Sequence, residues 1–116
     1  MNDFNVRVTE KDDISILYVE GFLDAHTVSA FESSILKLVK DKKYKIVVNM
    51  QKLEYISSAG LGVFMGFIEE IREQGGDIKL TNLSDKVFRV FELIGFPTLF
   101  DILPDEEEAI TKFNAI

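Results

Sequence analysis

At 116 residues the chain suits one domain, 1–116, and 47% hydrophobic residues with ten phenylalanines exclude a disordered tail or a linker. Its net charge of −7, with no basic stripe, excludes direct nucleic-acid binding, and the lack of cysteine excludes disulfides and thiolate metal sites. Solubility alone accounts for such a charge, and a partner with a basic face is the sharper reading.

The start, "MNDFNVRV", lacks the basic region and apolar run of a signal peptide, and no stretch reaches bilayer-spanning length, so a cytoplasmic location is expected. Phe4, Val6 and Val8 alternate with polar residues, the period of a half-buried strand. "EKDD" at 10–13 is a polar turn, and Ile14 to Val19 resumes as a second strand of a hairpin. Val28, Phe31, Ile35, Leu38 and Val39 recur at spacings of three and four, which predicts an amphipathic helix over 27–40. Ile46-Val47-Val48 has the β-branched, apolar character of a strand covered on both faces.

Leu61, Phe64, Met65, Ile68 and Ile71 share one face of a second helix, ended by Gly75-Gly76. Val63 and Phe67 lie progressively beyond that face, either widening the buried stripe or forming an apolar fringe for a partner. Ile78 and Leu80 mark a short strand, and Ser84 N-caps a third helix that stops at Gly95. Leu99 to Ile102 reads as a last strand, and Pro104 with the acids 105–108 opens a final helix. The alternation predicts an α/β fold: a mixed, mostly parallel sheet with one antiparallel hairpin strand and four helices.

In such a sheet, sites gather where the parallel strands end. Two loops there stand out, "EGFLDAHT" at 20–27 and "NMQKLEYISS" at 49–58, bringing Asp24, His26, Ser57 and Ser58 to one edge. Ser58 is expected to N-cap the second helix, whose free N–H groups and partial positive charge would tolerate a phosphate. Gly60 and Gly62 each cost roughly 1 kcal/mol against alanine in a helix. Packing shows no evident need for them, which points to an approach surface for a partner. Asp24 reads as a loop acid. His26, the only histidine, rules out a multi-histidine metal site and reads as a capping or surface residue.

Catalytic readings fit poorly. No glycine precedes the serines as a nucleophile elbow requires, and no lysine follows Gly60 or Gly62 as in a phosphate-cradling loop. An aspartyl-phosphate receiver would have an aspartate where Asn49 stands. Neither an enzyme nor a cofactor is expected.

"YISSAGLGVF" resembles the signature of the STAS domain, in particular that of bacterial anti-anti-sigma factors, Asp-Ser/Thr-Ser/Ala-Gly-Leu-Gly at a helix start. "VEGFLDAHT", "KIVVNMQKLEYI" and "FELIGFPTLFDI" are similar to further family segments, so the resemblance covers nearly the whole chain. It implies that Ser58 is the serine a partner kinase phosphorylates, with Ser57 the second candidate. It also implies a partner surface at Asp24, Ser57, Ser58, Gly60, Leu61 and Gly62, to which the edge position of His26 and the apolar fringe of Val63 and Phe67 add the rest of the expected partner-binding set. The unphosphorylated protein would bind an anti-sigma factor of the histidine-kinase-like ATPase fold, a serine kinase using ATP and Mg²⁺. A PP2C-type phosphatase would reverse the modification. Ser57 departs from the pattern, falling where the family has its aspartate. The alternative implied by the family is a fixed STAS subunit, without a switch, of a lipid-transport ATPase complex or a larger signalling assembly.

Overall fold

The computed structural model describes residues 3–115. Strands β1 (Phe4–Lys11) and β2 (Ile14–Leu23) form the expected antiparallel hairpin, with Lys11 opposite Ile14 and Phe4 opposite Gly21. The turn is shorter than 10–13, because Glu10 and Lys11 still pair with β2. Asp12 takes the bend at φ 57°, a conformation aspartate tolerates better than most residues. Helix α1 (Val28–Lys40) leads to β3 (Lys45–Ile56), α2 (Ser58–Glu73), β4 (Asp77–Thr81) and α3 (Asp85–Leu93). Strand β5 (Ile102–Leu103) and helix α4 (Glu106–Asn114) complete the order. The sheet runs β1-β2-β3-β4-β5, parallel from β2 onward, which matches the predicted class.

Helices α1, α2 and α3 cover one face and α4 the other, so the middle of the sheet is buried on both sides. That is why Ile46–Val48 reads as a continuous apolar run and why even Ser15, between Ile14 and Ile16, is fully buried. Phe64 on α2 is the hub of the larger core: its ring lies 5.2 Å from Phe31 and 6.0 Å from Phe91 and Phe100 between centroids. Truncating a fully buried phenylalanine of this kind costs about 3–5 kcal/mol.

Helix α4 is fastened by polar contacts. The Tyr18 hydroxyl donates to Glu106 Oε1 at 3.0 Å, and Asn49 Nδ2 donates to Glu106 Oε2 at 2.6 Å. Burial and then this carboxylate push the Tyr18 phenol above its ordinary value. A second fastening runs through Lys79, whose Nζ bonds Asp77 at 3.0 Å and Asp101 at 2.8 Å. Asp101 in turn pairs with Lys112 of α4 at 3.0 Å.

Several boundaries differ from the sequence reading. Both long loops are largely strand: β2 extends to Leu23 and β3 to Ile56, paired as far as Leu23 opposite Ile56. Gln51, Lys52 and Glu54 hide this strand, and register shifts after Tyr18 and after Gly21 break its alternation. The last strand is displaced from 99–102 to Ile102–Leu103, because Gly95 at φ 80° and Pro97 start a 3-10 turn at Phe96–Thr98. Ser84 caps α3 as expected, accepting from the Val87 N–H at 3.2 Å. Met65, assigned to the buried face of α2, is instead 48% exposed. No helix among the described residues is long and apolar enough to cross a membrane.

Candidate functional site

The edge where β2 and β3 end carries the residues singled out from the sequence. Strand pairing persists there to the last possible residue: the Ser57 N–H donates to the Leu23 carbonyl at 2.9 Å. Ser57 therefore keeps an extended backbone (φ −101°, ψ 175°) and becomes the N-cap of α2, its carbonyl accepting from the Leu61 N–H at 3.1 Å. This corrects the sequence reading, which gave the cap to Ser58. Ser58 is the first helical residue and is exposed. No side chain caps α2, and the Ser57 hydroxyl oxygen is buried with no hydrogen-bond partner among the described residues.

Asp24 sits in the turn from β2 to α1. Its carboxylate accepts from the His26 N–H at 2.9 Å, while its own N–H donates to Thr27 Oγ1 at 3.0 Å. The Thr27 hydroxyl donates to the Phe22 carbonyl at 2.8 Å, locking the turn. Asp24 is half-buried and shapes this loop, whereas His26 is exposed and the N-cap of α1 is Thr27.

The two glycines part company. A Cβ at Gly60 would lie 2.8 Å from Leu23 Cγ and 3.0 Å from Ile56 Cγ1, so packing does require glycine there. Gly62 is exposed, with nothing within 4 Å of such a Cβ, and Gly66 one turn later is equally open. Leu61 is buried in the core. Val63, also buried, and half-buried Phe67 line a shallow groove between α1 and α2, with Val28, Glu32, Gly62 and Gly66. The sequence reading passed over Gly66, although its spacing of four from Gly62 put both on one helical face.

Exposed Ser58 thus opens α2 on an edge shared with Asp24 and His26, beside a groove floored by glycines. The STAS domain family model matches residues 5–109. The chain belongs to the STAS domain family. This STAS domain is 28% identical over 100 residues to the anti-sigma-B factor antagonist of Staphylococcus aureus, covering 86% of this chain and 93% of that one. Its fold is similar to that of an anti-sigma factor antagonist from Mycobacterium paratuberculosis, with a TM-score of 0.90 and 23% identity over 97% and 96% of the two chains. It also resembles the Bacillus cell fate determinant SpoIIAA in its phosphorylated form, with a TM-score of 0.72 and 24% identity over 96% and 99%.

Proposed function

We propose that this STAS domain is an anti-sigma factor antagonist switched by phosphorylation of Ser58. The observation that carries the reading is Ser58 itself: an exposed hydroxyl at the first residue of α2, beside the open groove of Gly62 and Gly66. The unphosphorylated form binds an anti-sigma factor and frees the sigma factor it holds. That partner is a serine kinase of the histidine-kinase-like ATPase fold, and a PP2C-type phosphatase restores the binding form. The domain itself is a cytoplasmic binding protein and not an enzyme, using no cofactor.

The physical case rests on how little the fold must change. A phosphoserine adds about −1.5 to −2 charge at pH 7. The partial positive charge at the α2 N-terminus tolerates it, and Ser58 lies outside the core. A partner surface fitted to a neutral hydroxyl does not, since like-charge juxtaposition costs several kcal/mol.

The test is incubation with the purified anti-sigma kinase, ATP and Mg²⁺, followed by phosphate mapping and calorimetric titration. One phosphate on Ser58 and loss of kinase binding are expected. Phosphate on Ser57 alone would move the acceptor. Equal affinity of the modified and unmodified forms would leave the fixed STAS subunit as the reading.

A further inference from the structure

Strand β3 carries a bulge that turns an aromatic ring to solvent. Leu53 pairs with Gly21 but Tyr55 pairs with Phe22, so Glu54 is an extra residue against β2. Strict alternation from buried Leu53 would send Tyr55 inward and Ile56 outward. The bulge reverses both: Tyr55 is 44% exposed and Ile56 only 3%. Phe22, its cross-strand neighbour, is 37% exposed, and the two ring centroids lie 6.1 Å apart. Neither ring belongs to a core cluster.

Backbone hydrogen bonds hold the Phe22 side of this pair. The Phe22 N–H donates to the Asp3 carbonyl at 2.9 Å, and the Phe22 carbonyl accepts from Thr27 at 2.8 Å. Two residues further along each strand, past the paired Leu23 and Ile56, the chain enters Asp24 on one side and Ser57-Ser58 on the other. A concave surface ends at Gly21 and Glu54, the residues just before the two rings in sequence, and among the described residues its charged lining is Asp3, Glu20 and Glu54 against Lys52. Among the described residues, no group of three His, Cys, Asp or Glu is placed to hold a metal ion. Among the described residues, cations stack on Tyr18, Phe100 and Phe113, at 4.3 Å, 5.5 Å and 4.6 Å from the ring centroids, and not on Phe22 or Tyr55.

We infer that the Phe22–Tyr55 pair and the acidic bulge at Glu54 receive an arginine-bearing basic segment of the protein partner that reads Ser58. A guanidinium stacks on an aromatic face while its edge pairs with a carboxylate, which an exposed ring beside an acid provides. Rigid aromatic side chains whose backbone is already fixed lose little entropy on binding, the property that makes them interface anchors. This inference rests on the proposed function, because it takes the partner to be the anti-sigma factor that docks at Ser58.

The experiment compares wild type, Tyr55→Ala, Glu54→Lys and Ser58→Asp by calorimetric titration against that purified anti-sigma factor, with thermal melts and light scattering on each. Tyr55→Ala and Glu54→Lys should each lower affinity roughly tenfold or more. Both sites are exposed, so melting should barely move. If Tyr55→Ala melts early, Glu54→Lys on the bulge decides. Affinity unchanged by Glu54→Lys and Tyr55→Ala but reduced by Ser58→Asp would overturn the inference and leave the switch standing. Unchanged affinity for all three would sink both. A wild-type dimer that Tyr55→Ala converts to monomer, with partner affinity intact, would overturn the inference in favour of a contact between copies.

Discussion

The backbone N–H of Ser57 donates to the carbonyl of Leu23 at 2.9 Å, which welds the turn leading to Asp24 onto the start of α2. Ser57 is consequently the last extended residue and Ser58 the first helical one. The two adjacent serines do different work: one ends a strand through its backbone, and the other presents a hydroxyl.

Removing either hydroxyl should therefore hardly disturb folding. Ser57 Oγ makes no capping bond, and Ser58 occupies no capping position. Urea unfolding of Ser57→Ala and Ser58→Ala should each fall within about 0.5 kcal/mol of wild type. Ser57→Asp should stabilise by about 0.3–1 kcal/mol, since a carboxylate at an extended N-cap can meet the free N–H groups and the helix dipole. A loss of about 1–2 kcal/mol in Ser57→Ala would mean its hydroxyl caps α2 in solution.

The glycines should separate in the same assay. Gly60→Ala forces a methyl group against Leu23 and Ile56 and should destabilise by about 1–3 kcal/mol. Gly62→Ala meets open space in a helix and should stabilise by up to about 1 kcal/mol. Equal effects at the two positions would contradict the packing described.

What the sequence made legible was whatever periodicity encodes. Phe31, Ile35, Phe64, Ile68 and Phe91 announced three helices by spacing, and Ser84 announced a cap by its place before an apolar face. The fold class followed from their alternation with strands. The far half of β3 was not legible, because the bulges at 50–54 break the period on which such reading depends. The cap slipped by one residue for a related reason: a long-range hydrogen bond to Leu23 decides where the strand ends. Gly60 looked dispensable because the side chains that exclude a Cβ come from β2 and the end of β3, one of them distant in sequence. The edge residues Asp24, Ser57 and Ser58 were foreseeable from topology alone, since parallel strands deliver their following turns to one side.

The fastening of α4 through Asp101 should give way in acid. Hydrogen bonding from Lys79 holds the Asp101 carboxyl below its ordinary 3.8, Lys112 adds to this, and burial opposes both. Unfolding returns the group to its ordinary value, so the stabilisation is present above that pH and is lost as pH falls through the folded value. At Lys79 burial pushes the ammonium down, but Asp101 and Asp77 together raise it above 10.5, so its contribution fades only as pH rises beyond that. This network is therefore neutral to pH between about 5 and 9. Urea midpoints of wild type and Asp101→Asn should differ by a constant amount in that range and converge in stronger acid. A gap that persists to about pH 2 would assign the effect of Asp101→Asn to packing.

The groove between α1 and α2 offers a test of docking that leaves Ser58 intact. Gly62 and Gly66 are exposed helical positions with no atom within 4 Å of an added Cβ, so a glutamate fits at either without disturbing the core. Helix propensity favours glutamate over glycine, and melting should hold or rise slightly. Each substitution nevertheless places bulk and a negative charge beside Val63 and Phe67 in the groove, the surface proposed for the anti-sigma partner. Gly62→Glu, nearer the proposed phosphoacceptor Ser58, should weaken calorimetric affinity more than Gly66→Glu. Ser58→Asp provides the scale, because about one charge replaces the −1.5 to −2 of phosphate and should weaken binding only in part. Should Gly62→Glu bind like wild type while Ser58→Asp does not, the partner meets Ser58 from the Asp24 side and the groove lies outside the interface.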